Sequence, residues 1–557
     1  MKKVILTICL SCIFCFYGFS QDNNNVEEEI ELPDVTTVVS GGALTAGKDS
    51  VPDYKGVIPT IESAKVELPK LSNSDDVENI SNVSNSIQNI EKSVYAEGKA
   101  GGGYPFYFLG DFSVYRTTGT SPFSINFSHE SAEGFADNSA ANGFFERNTF
   151  VSANKSFNLK NGKNELYGSY NSANNGLQSL SPSFVDIVYH NVSAGFSSDW
   201  KLNNNFSVYY GTNGSWFNRY NGIFLDSAIS SKSYEKDSKL FDINPWLGIK
   251  WEKDNFEIDF TANYSLELNL KDSKTLLKAS GSSSEESSHR GEFDLSFVWK
   301  NEVSKLKSNV AAIIGTAIGE KKDIIVPFSV GMELALPNSF SSRKISLELE
   351  GGMDSYSEKI RDLETKYKYS VATSLLTETT DWYGFGKISL PIKEFFGLRL
   401  SGEYRKTAYD NGVWWSDYSN KSSSGLYFIT NNNREDFNTE TEVNFVLGNV
   451  KLSGLWKAYW LDVPCCQDEH NIYATVQYQS KNTNWDLGGS ISKGLGDNAE
   501  FIPNISADAT FRISHSIRIA FELNDIIKLI KNETRSYANS DYVEKGGSAA
   551  LLVKFQF

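Results

Sequence analysis

From Phe256 onward the chain alternates strictly: Phe256, Ile258, Phe260, Ala262, Tyr264, Leu266, Leu268 and Leu270 are separated by Glu257, Asp259, Thr261, Asn263, Ser265, Glu267 and Asn269. A helix would scatter these residues around its circumference, whereas a strand puts every apolar group on one face and every polar group on the other. The run is too long for an ordinary sandwich strand. The chain ends in the same rhythm, with Leu551, Val553, Phe555 and a terminal Phe557. Period two recurs over most of the length after about residue 92, and it predicts an all-β architecture.

The other end reads as an export signal. Lys2 and Lys3 precede the apolar stretch Val4 to Phe19, and Gly18-Phe19-Ser20 supplies small residues before a cleavage site placed after Ser20. Cys12 and Cys15 sit in contexts that fit a lipobox poorly. Beyond the signal no apolar run is long enough for a membrane-spanning helix. An exported chain that alternates with period two and carries no comparable helix period predicts a transmembrane antiparallel β-barrel. Composition agrees: apolar residues make up only 40% because half of each strand faces water, while 13% aromatics match interfacial girdles.

The formal charge is -16, or -18 once Lys2 and Lys3 are removed. Residues 21–91 hold 14 acids and 4 lysines by direct count, a net of -10. Nucleic acid is therefore excluded as a partner. Only Cys465 and Cys466 follow the signal, so there is no disulfide framework. The domain reading is a signal peptide at 1–20, an acidic, mostly unstructured periplasmic extension at 21–91, and a barrel at 92–557. Val77, Ile80, Val83, Ile87 and Ile90 mark a short helix within 75–91.

Alternation and turn residues divide the barrel into 22 strands, the first at 93–104 and the last at 546–557, with 427–447 and 516–530 each read as one strand. Connections after odd-numbered strands are long and those after even-numbered strands are tight, as at Asn203-Asn204, Asp254, Asn482-Thr483 and His515. Outer-membrane barrels have this asymmetry, with short periplasmic turns and long external loops. It predicts both termini in the periplasm and the long polar segments 272–288 and 358–379 exposed at the cell surface.

A barrel of this size, with the stretch Phe521 to Ile527, then Tyr542 to Gly547, then the alternating Ala549 to Phe557, resembles the TonB-dependent receptors. Asp34, Val35, Thr36, Thr37, Val38, Val39 and Ser40, followed by Gly41, resemble the box those receptors offer to TonB. Such a box implies binding by strand addition to the partner's sheet edge. Family members carry a plug of well over a hundred residues between box and barrel. Here only about 50 residues separate Gly41 from the first strand, too few and too polar to fill such a lumen as a folded domain.

Other candidates are local. Trp414 and Trp415, with Tyr418 nearby, form an aromatic cluster in an external connection, suited to a sugar or a protein partner or simply to girdle and loop packing. Cys465, Cys466 and His470 concentrate metal ligands within six residues, but adjacent cysteines suit a tetrahedral ion poorly, so two loop thiols or a vicinal disulfide is the stronger reading. Glu257, Asp259, Glu267, Glu348, Glu350, Asp508, Arg512 and Arg518 are assigned to the inward face. Phe555 and Phe557 are assigned to barrel closure and to recognition by the assembly machinery. His129, His190, His289, His470 and His515 are scattered, and no hydrolase, P-loop or dinucleotide motif occurs, so neither an enzyme nor a cofactor is expected. Two functional readings follow. One is a plug-less TonB-dependent-receptor-like barrel that moves solutes across the outer membrane, with TonB, a separate plug or a surface lipoprotein as partner. The other is a structural or adhesin-type barrel that binds a partner through its external loops.

Overall fold

The computed structural model describes residues 94–557, apart from 118, 120, 225–231, 271–286, 317–323, 340, 373–375, 394, 410–411, 423, 481–483 and 497–498. The signal, the acidic extension with its box-like stretch 34–41 and its helix-period segment, and most of 272–288 lie outside the described residues.

Twenty-two antiparallel strands form one sheet. The first, Tyr95–Tyr104, pairs with Tyr107–Arg116 on one side and with the last, Ser548–Gln556, on the other, so the sheet closes on itself. The terminal residue completes the seam. Phe557 donates its N–H to the Ala96 carbonyl (2.7 Å) and accepts from the Ala96 N–H (3.0 Å). Phe555 packs beside Phe112 across the seam, with ring centroids 6.0 Å apart.

Exposure is inverted relative to a water-soluble fold. Phe256, Ile258, Phe260 and Tyr264 are exposed, while Asp259 and Thr261 hydrogen-bond Tyr209 on the inner face. At the closing strand Leu551 is 57% exposed and the adjacent Leu552 is fully buried. An apolar exterior around a polar interior is the arrangement a lipid-embedded barrel requires. The inward polar set assigned from alternation forms cross-strand pairs: Lys250 with Glu257 at 2.8 Å, Lys387 with Glu348 at 3.5 Å, the Tyr383 hydroxyl with Glu350 at 2.6 Å and Arg518 with Asp486 at 3.9 Å.

Tight turns and long connections segregate to opposite ends. At one tight turn the Asn203 side chain accepts from the N–H groups of Asn205 and Phe206, and at another Asn301 accepts from Val303 and Ser304, the self-capped geometry that makes Asn a turn residue. Asp254 adopts a positive φ of 52° in a third. The strands differ in length: Phe206–Phe224 has 19 residues and Lys232–Lys253 has 22, against 10 in Tyr95–Tyr104 and 9 in Ser548–Gln556.

Three expectations need correction. The stretch read as one strand over 427–447 is two, Tyr427–Asn432 and Glu435–Leu447, and only the second belongs to the barrel. The strand read to residue 530 stops at Asn524, where Asp525 turns left-handed (φ 45°) into the helix Ile526–Lys531. Segment 358–379 is not an exposed polar loop: it contains the helix Ile360–Lys366 and the strand Ser370–Ala372, and Ile360, Leu363, Tyr367, Tyr369 and Val371 are all buried.

Deleting Gly547 to Phe557 would leave two unpaired strand edges in lipid, where each unsatisfied backbone group costs several kcal/mol. The truncated chain is expected to lose membrane insertion and heat-modifiable gel mobility. A truncation that kept both would contradict the closure described above.

Candidate functional site

The long connections fold together into a cap. Residues Ile360, Leu363, Tyr367, Tyr369 and Val371 share one buried core with Trp414, Leu426, Tyr427 and Ile429, with Tyr537 and Tyr542, and with Ile187, Tyr189, Phe217 and Leu240 of the barrel strands. At its centre Tyr369 stacks on Tyr542 (3.9 Å, 7°) and meets Tyr537 edge-on (5.0 Å), the second being the T-shaped contact aromatic rings prefer. Tyr418 meets Tyr427 edge-on at 5.0 Å. A three-stranded sheet holds the cap together, Ser370–Ala372 running parallel to Tyr427–Asn432, which pairs with Val413–Lys421.

The cap crosses the mouth. Phe217 lies on the seventh strand, whereas Cys465 and Cys466, packed against the same core, belong to the connection after the seventeenth. In a ring of 22 strands those positions are almost diametrically opposed. Polar contacts between connections tie the span: the Tyr542 hydroxyl donates to the Gly425 carbonyl (2.9 Å), Ser181 to the Ser424 carbonyl (2.5 Å), and Gln178 bridges to the Val543 backbone (2.6 and 2.9 Å).

One segment fastens the cap to the wall through charge. Within residues 359–378, Lys359 faces Glu267 (3.9 Å), Arg361 faces Asp242 (2.6 Å), Glu364 faces Arg219 (3.3 Å), Lys368 faces Glu146 (3.0 Å) and Glu378 faces Arg290 (3.0 Å). The five wall residues belong to five different strands; Glu146, Arg219, Glu267 and Arg290 lie near the long-connection ends of theirs, and Asp242 lies midway along the 22-residue strand. Arg219 and Glu364 have side chains only 1% exposed, and Arg219 also donates to the Ser370 carbonyl (2.8 Å). Burial opposes the charge on Lys368, but Glu146 and Glu544 outweigh it and hold the ammonium well above its ordinary pKa. Glu358, beside this strap, behaves oppositely: burial pushes its carboxyl up to about 7, against the opposing pull of Lys366, the Trp414 N–H and Arg434.

The residues singled out from sequence are distributed as follows. Trp414 is buried in the cap core and donates its indole N–H to the Thr377 carbonyl (3.0 Å), with Trp415 and Tyr418 packed against the same core. Cys465 and Cys466 are two thiols with sulfurs 3.1 Å apart, and Cys465 donates to the Ser416 carbonyl (3.3 Å). His470 lies apart from that core, against Trp456 and Trp460. Among the described residues no three His, Cys, Asp or Glu side chains gather as a metal-binding group. Sequence reading missed the strap. Its one legible signal is Ile360, Leu363 and Tyr367, apolar at helical spacing between charges, inside a stretch assigned to loop.

The fold is a closed 22-strand barrel of outer-membrane type, with the mouth at its long-connection end covered by its own connections. Neither a protein-family model nor a curated protein sequence matches the chain. Solved structures do match in fold. The copper transporter OprC aligns with a TM-score of 0.61 at 11% identity over 84% of this chain and 80% of its own. The FrpB iron transporter from Neisseria meningitidis aligns at 0.61 and 9% over 85% and 83%. The siderophore receptor PirA from Acinetobacter baumannii aligns at 0.59 and 9% over 83% and 80%. At such identities the likeness establishes the fold.

Two outcomes test the strap. Glu364→Ala leaves Arg219 buried without its carboxylate, a change that typically costs about 3–5 kcal/mol. Protease protection of residues 358–378 is expected to collapse while the barrel keeps its heat-modifiable mobility, and unchanged protection would show that the pair does not hold the cap. Because the pKa of Glu358 is raised in the folded cap, its stabilising contribution is complete below its unfolded value, near 4.5, and is lost as pH rises through about 7. Hydrogen-exchange protection of the strap should fall across that window in the native chain and fall less steeply in Glu358→Gln, whereas protection that rose with pH would refute the assignment.

Proposed function

We propose that residues 92–557 form the translocating barrel of an outer-membrane uptake system and that the cap is its lid. The observation that carries this reading is the strap. A segment that reaches five strands through five complementary ion pairs is seated across the mouth, which is where a gate must act. Structural or adhesive loops need only display a surface, whereas these turn their aromatic and apolar side chains inward. The fold shared with proteins named as copper and iron transporters and as a siderophore receptor supports a transport role, while the solute here is left open by that likeness.

In this reading both termini lie in the periplasm and the long connections outside, the orientation that the turn asymmetry favours. The lid stands in for part of the closure a plug gives to related receptors. Residues 34–40 then offer TonB an extended β-branched segment for strand addition.

Two measurements address these points. In a planar bilayer the native chain should conduct weakly, and the combined variant Arg361→Ala, Glu364→Ala and Lys368→Ala should conduct strongly with the barrel intact. Equal, negligible conductance from both would shift the assignment to a surface-interaction barrel. A TonB C-terminal domain should bind the native N-terminal segment and bind Val38→Pro less tightly, because proline removes a ladder donor. Identical affinities would exclude residues 34–40 as the contact.

A further inference from the structure

Three aromatic rings lie flat against the lumenal wall, each seated on a glycine of the neighbouring strand. Tyr167 opposes Gly195 across the ladder, Trp246 opposes Gly211 and Tyr209 opposes Gly248. A Cβ at any of these glycines would run into the ring opposite it, so each ring has one face against the backbone. The Tyr209 hydroxyl continues past Gly248 to Asp259 and Thr261 on the following strand, both at 2.5 Å, which pins that ring along the wall. Leu166, Tyr210 and Leu247, next to these residues in sequence, are exposed on the lipid side. The three half-buried rings therefore turn their second face to the lumen. Gly195, Gly211 and Gly248 stand six, five and five residues from the tight-turn ends of their strands, Lys201, Phe206 and Lys253, so the seats share one depth on three adjacent strands. Successive seats are one strand over and two residues along, roughly 8 Å apart by strand spacing and rise.

The wall beside these rings carries no charge. Ser113, Asn126, Ser152, Ser169, Ser193 and Ser215 form one lumenal ladder row across six strands. The rows on either side, from Ser128 to Phe217 and from Ser124 to Asn244, are equally free of charged side chains. Within them the Ser169 and Ser193 hydroxyls meet at 2.7 Å and Asn244 donates to Asn213 at 2.8 Å. Asn171 and Asn191 oppose each other with carboxamide oxygens that have no hydrogen-bond partner among the described residues. Phe217, which ends one row, belongs to the cap core, so the uncharged sector runs from beneath the cap down to the rings. Lumenal charge is gathered farther round the ring, where Lys307 pairs with Glu333, Lys387 with Glu348, Arg405 with Glu403 and Arg399 with Glu442.

Such a wall offers an ion no countercharge for the water it sheds. Carboxamides and hydroxyls both donate and accept, which matches a solute dense in hydroxyl groups. Flat aromatic faces supply what the other side of that solute needs, an apolar surface for the C–H face of a sugar ring. We propose, resting on the uptake reading above, that this sector is the path of a neutral oligosaccharide. Tyr167, Trp246 and Tyr209 are its stacking platforms, and the amide and hydroxyl rows are its hydrogen-bond partners. A ring laid on a strand glycine also shields the sheet backbone, but shielding asks nothing of the charge on the rows beside it.

The test uses the full-length chain with the cap released by Arg361→Ala, Glu364→Ala and Lys368→Ala, in a detergent without sugar headgroups. Equilibrium dialysis measures binding of maltohexaose and cellohexaose, with hexagalacturonate and a neutral hexapeptide as competitors of other chemistry. At least one neutral hexasaccharide should bind, and hexagalacturonate and the peptide should bind at least about tenfold more weakly. Adding Trp246→Leu, which still covers Gly211 but has no aromatic face, should weaken sugar binding about tenfold, whereas Trp246→Phe should stay within about threefold, both with heat-modifiable mobility intact. Binding of neither hexasaccharide would overturn the proposal, as would equal binding of hexagalacturonate or the peptide, or no difference between Trp246→Leu and Trp246→Phe. Bilayer conductance of the same released chain separates this inference from the reading it rests on. A chain that conducts but binds no sugar removes this substrate class and leaves uptake standing, and one that binds sugar without conducting removes the lid and keeps the sugar contact.

Discussion

Every other feature of this protein depends on a single constraint: a backbone amide in lipid has no water to bond, so its partner must come from the chain itself. The reciprocal bonds between Phe557 and Ala96 are therefore as consequential as any in the interior, because they complete a ring that has no other seam. Once the ring is closed, side-chain period two does the remaining sorting. Each residue faces either lipid or lumen, and a slip of one position would exchange the two environments for a whole strand.

The cap obeys different physics. Its connections stand where water is available, and they are free to build a compact core of tyrosines and branched aliphatics like that of a soluble domain. Burying Arg219 and Glu364 together is not an efficient way to gain stability, since desolvation offsets most of their attraction and an apolar pair would serve as well or better. What such pairs provide is register. An apolar strap could slide along the wall with little penalty, whereas one whose charges read Lys, Arg, Glu, Lys and Glu against Glu, Asp, Arg, Glu and Arg has one matching seat.

That contrast explains what could and could not be read from the residues. The strands were legible because lipid imposes alternation, as at 256–269, and because turns such as Asn203 to Phe206 carry their own side-chain caps. Tyr427 to Ile429 is a β-prone run separated from the strand Glu435 to Leu447 by a few polar residues, and the two read as one strand although one lies in the cap and the other in the wall, because a β-prone run records that a strand forms and not which sheet it joins. The strap was illegible for another reason. Glu364 and Arg219 are 145 positions apart in sequence, and no local pattern ties a charge in a loop to a charge on a distant strand. Trp414 and Trp415 were recognisable as an aromatic cluster, but whether such rings face solvent or a core is decided by connections that only the closed ring brings together.

The unequal strands have a consequence for how the molecule meets its surroundings. At about 3.3 Å per residue, Lys232–Lys253 extends for roughly 70 Å along its length and Tyr95–Tyr104 for roughly 33 Å. Even allowing for strand tilt, an apolar band about 25 Å tall accounts for nearly all of the shorter strand and much less than all of the longer one. The surplus stands clear of the bilayer on one bearing only, so the barrel has a parapet on one side and a doorstep on the other. Rotation about its own axis is thus not neutral: a neighbour travelling in the membrane plane meets a different object according to the compass point from which it arrives.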